Sequence, residues 1–229
     1  MSEVNISQLW GRAWYLFKLN WPLFMVLLVL PSMIVILIPM YLLWPIFVLL
    51  AYILLMPVLV RAGYLVVRKG QPSFGEVFRD LSSLLKIFVY ELTLLLILWT
   101  LLRMTHLGWW ASDILVVADF IILFLSFFGW AAPYCVLSGR AGIFSAIGQS
   151  FSLTWRNFSK VFVALLSFIG LLILGLLLLR LGFLGNVPIL TLGGVLLCGL
   201  WLLVVGPMAF VFWPLLYLAL TGEEGASHS

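Results

Sequence analysis

Charge is what this chain has least of. Only 9% of its 229 residues are Asp, Glu, Lys or Arg, against about 25% in an ordinary soluble domain. That is too little to solvate the surface of a water-soluble protein of this size. Cysteine and histidine number two each. Cys135 and Cys198 fall inside apolar runs, and His106 and His228 stand alone in the sequence. The thiols read as packing residues, and no metal-ligand spacing or cofactor motif is present. No Ser–His–acid set, no pair of carboxylates in a hydrophilic loop and no phosphate-cradling glycine loop assembles, so enzymatic activity is not expected.

What fills the chain instead is apolar: 65% of it, where about 45–50% is usual. From Trp21 to Val60, forty residues pass without Lys, Arg, Asp, Glu or His. A crossing takes about 20 apolar residues, so this run holds two. Four more follow, and the six are expected near 22–40, 43–67, 84–104, 114–137, 160–181 and 190–220. The last is longer than a bilayer requires, so Pro207 and Pro214 are expected to kink it or end it early. The fold class is therefore all-α, a polytopic transmembrane bundle forming a single membrane domain over 1–229. The first apolar run begins after Asn20, is too long for a signal-peptide core and lacks a small-x-small cleavage site, so no cleavable signal is expected.

Six spans place both termini on one side. That side receives Arg12, Lys18, Arg61, Arg68, Lys69, Arg79, Lys86, Arg140, Arg156 and Lys160, and the other only Arg103 and Arg180. Such a bias puts both termini in the cytoplasm. The net charge of +4 then points to anionic lipid head groups, with Arg140, Arg156 and Lys160 as candidates to hold them, and not to nucleic acid.

One amphipathic phrase is written twice. "GRAWYLFKLNW" from Gly11 and "GQSFSLTWRNF" from Gly148 agree without a gap at Gly11/Gly148, Leu16/Leu153 and Asn20/Asn157, and match in kind at Ala13/Ser150, Trp14/Phe151 and Trp21/Phe158. In the second, Phe144, Ile147, Phe151, Trp155 and Phe158 form a stripe, with Ser145, Gln149, Ser152 and Arg156 opposite. Such a helix lies in the interface plane, aromatic side toward the acyl chains. A looser third copy, "PSFGEVFRDLSSLLK", aligns Gly75 and Phe78 with these positions, and Ser73 and Glu76 have capping-box spacing, so a helix should start at Ser73. Each unit also closes with a late proline: Pro57, Pro133, and Pro207 or Pro214. Three tandem units are expected, roughly 5–70, 71–140 and 141–221, each an in-plane helix followed by a helical hairpin. Asn20 and Asn157 should be equivalent corner residues where the in-plane helix turns into a span. A competing reading makes Asn157 part of a head-group site with Arg156 and Arg140.

The stretch "PYCVLSGRAGIFSAIGQSFSLTWRNFSKVFVALL", Pro133 to Leu166, resembles the hallmark of a broad bacterial family of six-helix integral membrane proteins. That family is related to the membrane domain attached to some glycerophosphodiester phosphodiesterases. Pro133, Ala146, Ser150 and Asn157 occupy its pattern, and "AGYLVVRKGQPSFGEVF" resembles its earlier loop. The resemblance implies a fold and a bacterial cytoplasmic-membrane location. It implies no phosphodiesterase activity, because no catalytic domain is attached here.

A charge at the centre of a span costs about 2.5–3.5 kcal/mol on insertion scales, so Glu91 and Asp119 require an account. Arg61 is the expected partner of Glu91, while Arg103, Arg180 and Asp113 gather toward the opposite face near Asp119. Pinned ion pairs that fix helix register are the structural reading; a proton- or ion-coupled path is the functional one. Gly199 and Gly206, seven apart, are expected to share a packing face. Two function classes remain open. One is a non-enzymatic accessory or scaffold subunit, or an envelope lipid-homeostasis factor, with partner membrane proteins or self-association. The alternative is a small transporter or channel for a lipid or hydrophobic solute.

Overall fold

The structure is a computed structural model, and it describes residues 4–37, 44–106, 124, 127–139, 141–183 and 188–223. Those residues are helical and contain no strand. Eight helices are described: α1 (Ile6–Leu37), α2 (Trp44–Lys69), α3 (Phe74–Phe78), α4 (Leu81–His106), α5 (Ala132–Leu137), α6 (Ile143–Arg156), α7 (Phe158–Phe183) and α8 (Pro188–Thr221). They fall into two compact units, Met1–Leu19 with Asn157–Ser229, and Asn20–Arg156.

In the first unit α7 and α8 pack along each other. The contact is closest where the Trp201 ring lies over Gly175: a Cβ there would come within 2.7 Å of Trp201 Cδ1. The Trp201 indole N–H donates to the Leu171 carbonyl at 2.8 Å, which fixes the ring in that position. The start of α1 closes the pair. Trp10 stacks on Phe212 with ring centroids 3.9 Å apart and donates its indole N–H to Ser167 Oγ at 2.9 Å. Two stretches, Phe158–Arg180 and Leu192–Thr221, are long and apolar enough to cross a membrane. Their most apolar windows are only 17% and 33% buried, so most of their apolar side chains face outward. A core helix of a soluble protein would hide that surface. These two helices are compatible with a membrane protein and leave the count of six spans open.

α8 runs on to Thr221 past both prolines, so neither ends it early. Pro207 and Pro214 are buried, and packing of the surrounding residues holds the helix across the missing N–H groups. The expected packing face at Gly199 and Gly206 is not found: a Cβ at either would meet nothing within 4 Å. The close approach is made at Gly175 instead.

In the second unit α2 packs on α4, and α5 on α6. A helical stretch at 127–129 breaks at Trp130 and Ala131 and restarts as α5, with Pro133 in its first turn. Proline has no N–H to continue the ladder, so backbone groups before it are released. Side chains take them up. Ser150 Oγ accepts from the Ala131 N–H at 3.0 Å and donates to the Phe128 carbonyl at 2.6 Å. Tyr90 donates its hydroxyl to the Gly129 carbonyl at 3.0 Å. Trp130 donates its indole N–H to Thr154 Oγ1 at 2.9 Å. In an apolar surrounding such groups cannot be left unpaired.

Two expectations about the in-plane helices need correction. α1 runs as one helical element from Ile6 to Leu37, so the first copy has no separate in-plane helix ending at Asn20. Asn20 faces another segment instead: it is 5% exposed and donates its amide to the Gly70 carbonyl at 2.7 Å. The helix of the third copy does start where the capping box predicts, with Ser73 as its N-cap, but it is only five residues long. It stops because Asp80 takes over as cap of α4: its carboxylate accepts from the Ser83 N–H at 3.2 Å and from the Ser83 hydroxyl.

Candidate functional site

α6 is the amphipathic helix the sequence foretold, with one face more than expected. Its aromatic stripe is outward: Phe144 is 87% exposed and Trp155 68%, with Ile147, Phe151 and Phe158 also exposed. Ser145, Gln149, Ser152 and Arg156 are exposed on the polar side. Between them runs a buried ridge of small residues, Ala146, Ser150 and Thr154, four apart. That ridge seats the helix on the Pro133 break through the two hydroxyls already described. Small, hydrogen-bonding side chains allow close approach where a Leu ridge would hold the backbones apart.

The same rhythm recurs at the start of α1. Leu9, Ala13 and Phe17 are buried, as are the positions 137 further on, Ala146, Ser150 and Thr154. Trp14 and Phe151 are exposed alike, and so is Phe78 of the third copy, while Ala13, Ser150 and Val77 are each fully buried. Gly11, Gly75 and Gly148 all face open space, where a Cβ would meet nothing within 4 Å. Packing among the described residues therefore gives no reason for these three glycines. The helix ends also agree. Gly70, Gly139 and Gly222 have φ of +79°, +74° and +77° and close α2, α5 and α8, a left-handed stop that glycine adopts without a Cβ penalty. The sequence reading relied on the prolines and missed these glycines; "RKG", "LSG" and "LTG" after apolar runs were the available signal.

Arg61 does not pair with Glu91. It is buried, and its guanidinium bonds Asp80 Oδ2 at 3.1 Å and the Asp80 carbonyl at 3.0 Å. A longer contact, 3.5 Å, reaches the Glu76 carbonyl. The physical reason is reach: Asp80 stands at the very start of α4, where its carboxylate and its carbonyl, which also accepts from the Leu84 N–H at 3.3 Å, offer two acceptors together. Hydrogen bonds from the Ser83 hydroxyl, Arg61 and the Ser83 N–H hold the Asp80 carboxyl well below its ordinary 3.8, at about 2. Glu76 is lowered as well, first by its hydrogen bond from Lys69 Nζ at 2.6 Å and then by the Ser73 N–H. Asp80, which sequence reasoning passed over, is thus the hub of this cluster.

Glu91 lies half-buried on α4, and Arg180 is exposed near the end of α7. Arg103 belongs to α4. Asp113, Asp119 and Arg140 lie outside the described residues, and with them the constellation expected around Asp119. Cys135 and Cys198 are buried free thiols. Asn157 is the single turn residue between α6 and α7, and its carbonyl accepts from the Val161 N–H at 3.1 Å. It lines a cavity of about 220 Å³ with Lys160, Val4, Ala219, Leu220, Thr221 and Gly222.

No family model matches this chain, and no curated protein or solved structure matches it either. The resemblance to the membrane domain of glycerophosphodiester phosphodiesterases gains no support from these comparisons.

Proposed function

We propose that this chain is a non-enzymatic integral membrane protein that engages anionic lipid at the cytoplasmic leaflet, as an envelope lipid-homeostasis factor or accessory subunit. The single observation that carries the reading is the three-faced α6. Its aromatic row is exposed, most fully at Phe144 and Trp155, while its small-residue ridge fixes it in place and Phe151 also stacks on Phe128. An exposed row of Phe, Ile and Trp is costly in water and favourable at an acyl boundary, and the adjoining polar row with Arg156 suits head groups. Two outward-facing apolar helices of membrane-crossing length support the same surroundings. The recurrence of the burial rhythm and of the left-handed glycine stops supports three tandem units, and the meeting of Val4 with Gly222 around one cavity supports both termini lying on one side.

The test is purification in mild detergent followed by mass spectrometry of what remains bound. Retention of anionic phospholipid, or of a stoichiometric membrane partner, is the expected result. A chain that carries neither, and instead moves a lipid or hydrophobic solute across proteoliposomes in a Glu91-dependent way, would establish the transporter reading.

A further inference from the structure

The cavity at the joined ends of the first unit has a composition that the aromatic face does not explain. Asn157 and Lys160 enter it from the start of α7, Ala219 to Gly222 from the end of α8, and Val4 from the segment before α1. At about 220 Å³ it holds the volume of about seven waters at ~30 Å³ each. That is below the usual span of drug-sized pockets, about 300–1,000 Å³, and suits a small polar group. Lys160 is half-buried there. Among the described residues no carboxylate pairs with it and none lines the cavity. A partly desolvated ammonium without a counter-ion favours an anion, and a compact charge of this kind is a phosphate ligand. Thr221 adds a directional constraint. Its hydroxyl proton is committed to the carbonyls of Tyr217 and Leu218, at 3.0 and 3.3 Å, so toward the cavity its oxygen is an acceptor. Of the remaining wall, Val4, Ala219, Leu220 and Gly222 are apolar and Asn157 is polar.

We propose that this cavity binds the phosphate group of a phosphate ester, with Lys160 as the cation that holds it and Thr221 accepting from a neighbouring hydroxyl of the same ligand. Two sources share that chemistry, a phospholipid head group and a free sugar or polyol phosphate. The lipid source rests on the membrane reading above; the site itself does not. The apolar wall at the end of two membrane-length helices favours the lipid.

The test uses the full chain in detergent and native mass spectrometry. One arm offers dioleoylphosphatidylglycerol against dioleoylglycerol, which has the same acyl chains and no phosphate. The second arm adds glycerol 3-phosphate as competitor. The wild type should retain the phospholipid in preference to the diglyceride. Lys160→Gln should weaken that retention by at least about tenfold, while Lys160→Arg keeps it. Ala219→Leu should also lose it by filling the cavity with the charge unchanged. Lys86→Gln, which removes an exposed cation elsewhere, should retain it. Displacement by glycerol 3-phosphate assigns the site to soluble esters, and persistence of the adduct assigns it to lipid. If Lys160→Gln and Ala219→Leu both retain the phospholipid as the wild type does, or Lys160→Gln merely equals Lys86→Gln, the site is refuted while membrane binding stands. A chain that never enters bilayers refutes the membrane reading instead.

Discussion

Replacing Ser150 with alanine should damage this protein out of proportion to the single oxygen removed. Ser150 is fully buried on α6 and serves two backbone groups at once, the Ala131 N–H and the Phe128 carbonyl. Both are released by the break before Pro133, and both belong to buried residues, Phe128 and Ala131. A buried group left unpaired costs about 1–3 kcal/mol. Two such groups, less the desolvation that the hydroxyl itself no longer suffers, put Ser150→Ala at about 2–4 kcal/mol. For a chain of this length each kcal/mol moves the midpoint by about 2–4 °C, so a fall of roughly 5–15 °C is expected. Ser152→Ala, two residues away on the exposed side of the same helix, should stay within about 0.5 kcal/mol. Thermal unfolding of both variants in one detergent, followed by intrinsic fluorescence at one scan rate, reads the difference. Equal midpoints for the two would mean that the break is not held by Ser150, and the account of how α6 is seated would be wrong.

Three further outcomes follow from the same geometry. Asn20→Leu should destabilise by about 1–3 kcal/mol, because the Gly70 carbonyl loses its amide donor; unaltered unfolding would show that this tie contributes nothing. Asp80→Asn keeps a good cap but removes the anion beside buried Arg61. With the Asp80 side chain 48% exposed, solvent screening limits the loss to about 1–2 kcal/mol. Because the folded pKa of Asp80 is lowered from 3.8 to about 2, its contribution is complete above about pH 4 and is lost as pH falls toward 2. The wild type should lose stability relative to Asp80→Asn across that window, and parallel curves would contradict the assignment. Gly175→Ala should cost about 1–3 kcal/mol by forcing Trp201 off its seat. Gly199→Ala should be tolerated, since none of the described residues approaches it; the reverse order would show that the packing face lies at Gly199 after all.

The aromatic stripe of α6 was legible because exposure and helical spacing are both properties of local sequence: Phe144, Ile147, Phe151 and Trp155 could be placed on one face without knowing any partner. The capping box at Ser73 was legible for the same reason. What local pattern could not supply was the third dimension. Asn20 looked like a corner residue, since asparagine favours bends, but its amide is used by Gly70, fifty residues away. Arg61 was matched to Glu91 by estimated depth, whereas a cap carboxylate with its own carbonyl beside it offers a guanidinium two acceptors where a lone acid on a helix face offers one. Glycine spacing suggested Gly199 and Gly206, yet close packing depends on what the opposite helix offers, and Trp201 offers its flat ring at Gly175. The buried ridge Ala146–Ser150–Thr154 was assigned to neither face, because the released backbone of the Pro133 break that its Ser150 hydroxyl serves is not a property of the local sequence.

The most direct test of the central claim is the depth of α6 in a bilayer. Single cysteines at Phe144→Cys, Ile147→Cys, Trp155→Cys, Ser145→Cys, Gln149→Cys and Ser152→Cys, in a background lacking Cys135 and Cys198, can be spin-labelled in vesicles rich in phosphatidylglycerol. Collision with oxygen, which concentrates among acyl chains, is then compared with collision by a water-soluble nickel chelate. An α6 lying in the interface should show high oxygen and low nickel access at 144, 147 and 155, and the opposite at 145, 149 and 152. Equal nickel access at all six positions would place α6 in water and contradict the account.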